Sequence, residues 1–168
     1  MTILKLDDLF ITYGDEKYAE VAIFIDLLRG LQMLYQTSHW QTSGPNYYSD
    51  HLLFQRLYEA LGEDIDALGE KSVGMGTERL VDYRHSLQNM QMFLDAADDM
   101  MTAANENPAQ KHIARAMRAE TAFLRAGESL MNMLEQKGML TRGIENLLGG
   151  ILDKHEGLLY LIKQRNKM

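Results

Sequence analysis

Two histidines and two carboxylates carry the chemistry that this sequence offers. His39 and His51 stand twelve residues apart, Asp66 follows fifteen after His51, and Glu70 four after that. Imidazole nitrogen and carboxylate oxygen suit divalent first-row metals. The chain has no cysteine, which excludes disulfides, thiolate metal sites, iron–sulfur clusters and a cysteine nucleophile. His51 and Gln55 share a helix face at a four-residue step, as do Asp66 and Glu70. On one helix, the offset from His51 to Asp66 returns to within about 60° of the same face but lies about 22 Å along the axis. Metal–ligand bonds are about 2.0–2.2 Å long, so a single straight helix cannot close both pairs on one ion. Either each pair finds partners elsewhere in its own chain, or a second copy runs antiparallel across a twofold axis. In the second case His51 of one chain meets Asp66 and Glu70 of the other, and two identical sites form at once. A di-iron bundle built within one chain would show Glu-x-x-His motifs. None occurs, the nearest string being Asp82-x-x-His85, so the two-chain arrangement is favoured.

The elements that must position these groups read as helices. Phe24, Leu27, Leu28, Leu31, Leu34 and Tyr35 recur at steps of three and four, one buried face of a helix that starts near Asp15. Gly44-Pro45-Asn46 ends it. A second helix is expected from Tyr47 to Val73, with Gly74-Met75-Gly76 as its stop, and a shorter one from Val81 to Leu94. Asn107-Pro108 signals the start of a third long helix that runs to Gln136, and Thr141 opens the last. No segment alternates as a strand does. Four long helices and a short one in the connection between the second and third predict an all-α, ferritin-like four-helix bundle over residues 15–168. Residues 1–14 lack a period and are expected to form a short N-terminal tail.

Length and composition agree with that architecture. The 168 residues, 46% apolar and 24% charged, suit one domain with a sizeable core. Twelve methionines without clustered spacing read as core filler. The net charge of −7 argues against a chain built mainly to hold nucleic acid. The N-terminus does not read as a signal peptide, because Lys5, Asp7 and Asp8 interrupt its apolar run. No stretch approaches the roughly 20 apolar residues of a membrane span. A cytoplasmic protein that does not bind membranes is expected.

The pattern resembles a known family. His39-Trp40-x3-Gly44, His51 twelve residues after His39, Asp66 fifteen further on and Glu70 four after that are similar to the ferroxidase signature of the Dps mini-ferritins (DNA protection during starvation). The run from Asp153 to Ile162 is similar to the ending of that family, and the helix order resembles it over nearly the whole chain. The resemblance implies a hollow homo-oligomer, a dodecamer, with sites at twofold interfaces. His39 and His51 would come from one subunit, Asp66 and Glu70 from its neighbour. It implies a ferroxidase that oxidises Fe(II), with hydrogen peroxide preferred over dioxygen, and stores Fe(III) as ferric oxide in the cavity, protecting against oxidative damage. The alternative is a non-enzymatic shell that coats DNA and holds only structural metal.

Three departures from the family pattern shape these expectations. Gln55 stands four residues after His51, where the family usually has a carboxylate, so a two-iron site would hold its second iron weakly. Asn146 precedes Leu147-Leu148 where an aspartate is common, leaving Glu145 as the candidate pore residue. The first fourteen residues offer only Lys5 against Asp7 and Asp8, so DNA binding is expected to be weak or absent. Gln55 and Trp40 are expected beside the ligands, Gln55 as a hydrogen-bonding residue and Trp40 as packing. His155, on an apolar stripe, is expected to be a satisfied core histidine, and Lys163, Arg165 and Lys167 to suit a helix C-terminus.

Overall fold

The computed structural model describes residues 5–99 and 110–167, and these are helical with short connections. Seven α-helices are described: α1 (Leu6–Phe10), α2 (Ala19–Gln41), α3 (Tyr47–Glu59), α4 (Gly62–Met75), α5 (Tyr83–Asp99), α6 (Lys111–Gln136) and α7 (Arg142–Asn166). A 3₁₀ turn, Glu78–Val81, joins α4 to α5. The start expected at Asn107-Pro108 lies outside the described residues. No described helix is long and apolar enough to cross a membrane.

α2 is the centre of the molecule. It packs against α1, α3, α4, α5 and α6, and α7 packs on α6. Its stripe of Phe24, Leu27, Leu28, Leu31, Leu34 and Tyr35 is buried as the periodicity requires. The residues between, Val21 to Ile25, are buried too, because helices cover α2 on several sides. Each large apolar side chain fully buried in this way contributes roughly 1.5–3 kcal/mol. Phe54 and Leu57 of α3, Leu61 of the junction and Leu68 of α4 face the same core. Phe123 and Leu130 reach it from α6, and Ile144, Leu148, Ile151 and Ile162 from α7.

Several boundaries follow the sequence signals. Gly44 takes φ +86° in the turn after α2, and Gly138 takes φ +66° in the turn after α6. The Thr141 side chain caps α7 by accepting the Ile144 N–H at 3.3 Å. Three features differ from expectation. The stretch read as a tail contains α1, and its Leu9 and Tyr13 are buried in the core. Tyr47 and Leu87, at helical steps from the buried Phe54 and Met90, are nevertheless 46% and 57% exposed.

The third difference matters for the site. The helix expected over Tyr47–Val73 is two helices, broken at Ala60 and Leu61. Gly62 weakens helix formation there. From α7, the Lys154 ammonium donates to both Asp64 carboxylate oxygens, at 2.7 and 2.8 Å, and lies 3.4 Å from the Ala60 carbonyl oxygen. A side chain that supplies a donor to a freed carbonyl is a recognised cause of a break. α3 and α4 are therefore separate rods whose junction α7 clamps.

Buried polar clusters tie the rods together. The Asp26 carboxylate of α2 accepts from Tyr13 Oη at 2.7 Å, Ser86 Oγ at 2.6 Å and Asn89 Nδ2 at 2.8 Å, joining the N-terminal segment and α5 to α2. Burial pushes the Asp26 carboxyl above the usual carboxylate range, while these three hydrogen bonds pull the other way. Arg165 does not merely suit a helix end. Its guanidinium donates to both Asp50 oxygens, at 2.5 and 3.0 Å, in a buried pair between α7 and α3.

Candidate functional site

The five-residue connection 42–46 sends the chain back on itself, so the end of α2 meets the start of α3. That hairpin places His39 and His51 in direct contact. Their rings stack with centroids 3.6 Å apart and planes 24° apart. The hydrogen bonds are reciprocal. His39 Nδ1 lies 2.9 Å from the His51 carbonyl oxygen, and His51 Nδ1 lies 3.0 Å from the His39 carbonyl oxygen. A carbonyl oxygen only accepts, so each Nδ1 carries the hydrogen. In the neutral ring each Nε2 then holds a lone pair, and among the described residues neither Nε2 has a hydrogen-bond partner.

The local sequence explains the arrangement. The His39 carbonyl is among the last in α2 and has no partner in the helical ladder. The Thr42 hydroxyl donates to it at 3.0 Å, and His51 supplies the second donor. Aromatic rings fence the pair. Tyr58 meets His39 edge-on at 5.4 Å, and Tyr47 lies 5.1 Å from His51. His39 is 9% exposed and His51 half-buried, and the two carbonyl bonds fix their tautomers. A second hydrogen bond that orients a ligating histidine is what a metal site uses to fix its lone pair.

Asp66 and Glu70 are placed differently. Both are exposed on one face of α4, and among the described residues neither makes a hydrogen bond or ion pair. They line an open groove with Arg29, Ile65, Val73 and Val81. Within one chain the structure brings the histidines together and the carboxylates together, but does not join the two pairs. No group of three or more histidine, aspartate or glutamate side chains at metal-binding range occurs among the described residues.

The remaining candidates also have definite places. The Gln55 amide donates to Glu59 Oε1 at 2.9 Å. Trp40 is 68% exposed, so it does not pack inside this chain. Glu145 accepts from Arg142 at 2.7 Å, in a shallow polar depression that Glu135 also lines.

His155 is fully buried, as expected, and its partner was not foreseen. Its Nδ1 donates to one oxygen of Glu120, and Tyr35 Oη donates to the other. All three side chains are fully buried, on α7, α6 and α2. The signal for Glu120 was present. It interrupts the stripe Ile113, Ala116, Ala119, Phe123, a position where a solvated carboxylate does not belong. Asp26 gave the same signal inside Val21–Leu28.

No protein-family model matches the chain. It is similar to an uncharacterized low temperature-induced protein of Nostoc sp., with 25% identity over 142 residues, 82% of this chain and 74% of the relative. A homologue of that protein from Anabaena variabilis matches to the same extent.

Proposed function

We propose that this protein is a mini-ferritin: a ferritin-like four-helix bundle, assembled as a hollow homo-oligomer, that oxidises Fe(II) and stores Fe(III). The observation that carries the reading is the stacked His39–His51 pair with its reciprocal Nδ1 bonds. It presents two imidazole lone pairs, from α2 and α3, with their tautomers set in advance. Two exposed carboxylates one turn apart, Asp66 and Glu70, supply the oxygen donors that this pair lacks. The packing of α2 with α3–α4, and of α6 with α7, supports the bundle. The similarity to proteins induced at low temperature accords with a role in stress.

In this reading the iron is the substrate. His39 and His51 of one chain and Asp66 and Glu70 of a twofold mate bind it, and a mixed nitrogen–oxygen donor set suits Fe(II). Two Fe(II) and one hydrogen peroxide, with two waters, give two FeO(OH) and four protons. With Gln55 in place of a carboxylate, one iron position is firm and the second weak. DNA coating is the weaker reading, since the chain carries a net charge of −7.

The test is complementation between chains. His51→Ala and Asp66→Ala homo-oligomers should each oxidise Fe(II) slowly. Unfolding the two variants together and refolding them as mixed oligomers should restore about a quarter of the sites, because a site drawing one half from each chain is intact when the two defects fall in its unused halves. Recovery absent from oligomers shown by mass to be mixed would sink the shared-site reading.

A further inference from the structure

The buried Tyr35–Glu120–His155 cluster stands apart from the four proposed iron ligands. Tyr35 lies one helical turn before His39 on α2, a rise of about 6 Å. Its ring is 6.4 Å from that of Phe54, which follows His51 by three residues on α3. The phenol donates to Glu120, whose other oxygen takes the hydrogen of His155 Nδ1. His155 Nε2 is buried without a partner among the described residues.

Packing alone does not call for this cluster. The three helices already meet through apolar side chains, and a buried ionic group replaced by apolar residues of similar volume is often no less stable. Burial first, and then the charge of Glu120, push the Tyr35 phenol well above its ordinary value. The resting group is therefore the phenol. A phenol that gives up an electron becomes strongly acidic, and a carboxylate already hydrogen-bonded to it can take the proton without any atom travelling far.

We propose that Tyr35 is a one-electron donor to the oxidant at the His39–His51 pair, passing its phenolic proton to Glu120, with His155 as the positioning residue that holds the carboxylate. The inference rests on the ferroxidase reading. Hydrogen peroxide takes two electrons, and a site that holds one iron firmly supplies one. Tyr35 supplies the other: Fe(II) + Tyr–OH + Glu–COO⁻ + H₂O₂ + 2 H⁺ gives Fe(III) + tyrosyl radical + Glu–COOH + 2 H₂O. The peroxide O–O bond breaks and no hydroxyl radical is released. The two protons consumed in forming water come from solvent, while the phenolic proton rests on Glu120. A second Fe(II) then reduces the radical, and that proton returns from Glu120 to the phenol.

The experiment uses the full-length protein, loaded anaerobically with one Fe(II) per chain, mixed with equimolar hydrogen peroxide, frozen within milliseconds and read by electron paramagnetic resonance. Wild type should give a tyrosyl signal. Tyr35→Phe should lose most of it and should raise hydroxyl-radical adducts in a parallel spin-trap assay, while still forming Fe(III). Tyr13→Phe, at the other buried tyrosine–carboxylate pair, should leave the signal unchanged. Glu120→Gln, which keeps an acceptor for the phenol but has no carboxylate to take its proton, should lower the radical yield even if Tyr35→Phe fails to fold. Equal signals in Tyr35→Phe and wild type, or Fe(III) formed by wild type with no tyrosyl signal, would overturn the inference and leave the ferroxidase reading standing. Fe(II) oxidation no faster than in protein-free buffer would overturn both.

Discussion

The histidine half and the carboxylate half of the candidate site are built in opposite ways. His39 and His51 are stacked, hydrogen-bonded through Nδ1 and fenced by Tyr47 and Tyr58. Asp66 and Glu70 are exposed on an open groove and tied to nothing among the described residues. The difference teaches that the histidine half is part of the folding of its own chain, whereas the carboxylate half is not; in the proposed reading its partners come from a second copy. Loss of a histidine should therefore be felt in both stability and activity, and loss of a carboxylate in activity alone.

The largest effect is expected for His51→Ala. It removes a proposed ligand, the stacking partner of His39 and the donor to the His39 carbonyl. Fe(II) oxidation should fall at least tenfold or so, as the loss of even a supporting group at a metal site costs that much. Urea denaturation should show a further loss of about 1–2 kcal/mol, the typical cost of a broken buried hydrogen bond with its packing. Asp66→Ala comes next. Its oxidation rate should fall as far, while the stability of the chain stays within about 0.5 kcal/mol of wild type, as for surface substitutions generally. A large stability loss would show that Asp66 serves the fold of its own chain, and the contrast between the halves would collapse.

Lys154→Met probes the junction between the halves. It removes the clamp on Asp64 and the Ala60 carbonyl. Lys154 is over a third exposed, so screening limits the loss to about 1 kcal/mol. Because α4 is then free to shift against α3, the oxidation rate should fall severalfold although no ligand is touched. An unchanged rate would show that the junction does not set the position of the carboxylate half. Gln55→Glu is the gentlest change. It should raise the Fe(II) bound per chain in anaerobic titration from near one toward two, with little effect on stability. Unaltered stoichiometry would show that the Gln55 amide is not what weakens the second position.

Much of this was legible in the residues themselves. The 3.6-residue stripes on α2 and α7 are local properties, and so are the breakers at Gly44-Pro45 and Gly138 and the Thr141 cap. The pairing of Asp66 with Glu70 on one face required only a helical step of four. The split between α3 and α4 was not legible, because Lys154, ninety-four residues from Ala60, supplies its distant partner. Nor was the burial of Leu9 and Tyr13, in a stretch too short to show a period, or the exposure of Tyr47. The Asp50–Arg165 pair joins residues 115 apart, and neither looks unusual in its own neighbourhood.

The sequence by itself determined most of the helices, the absence of thiol chemistry and the four side chains on which the metal proposal rests, since each depends on residue type and short spacing. Only the tertiary structure decided that His39 and His51 stack with their Nε2 lone pairs left free, because that requires the ends of α2 and α3 to meet. Only the fold, likewise, showed that Glu120 links Tyr35 to His155. A carboxylate in an apolar stripe announces that it must find partners, but the packing of three helices chooses them.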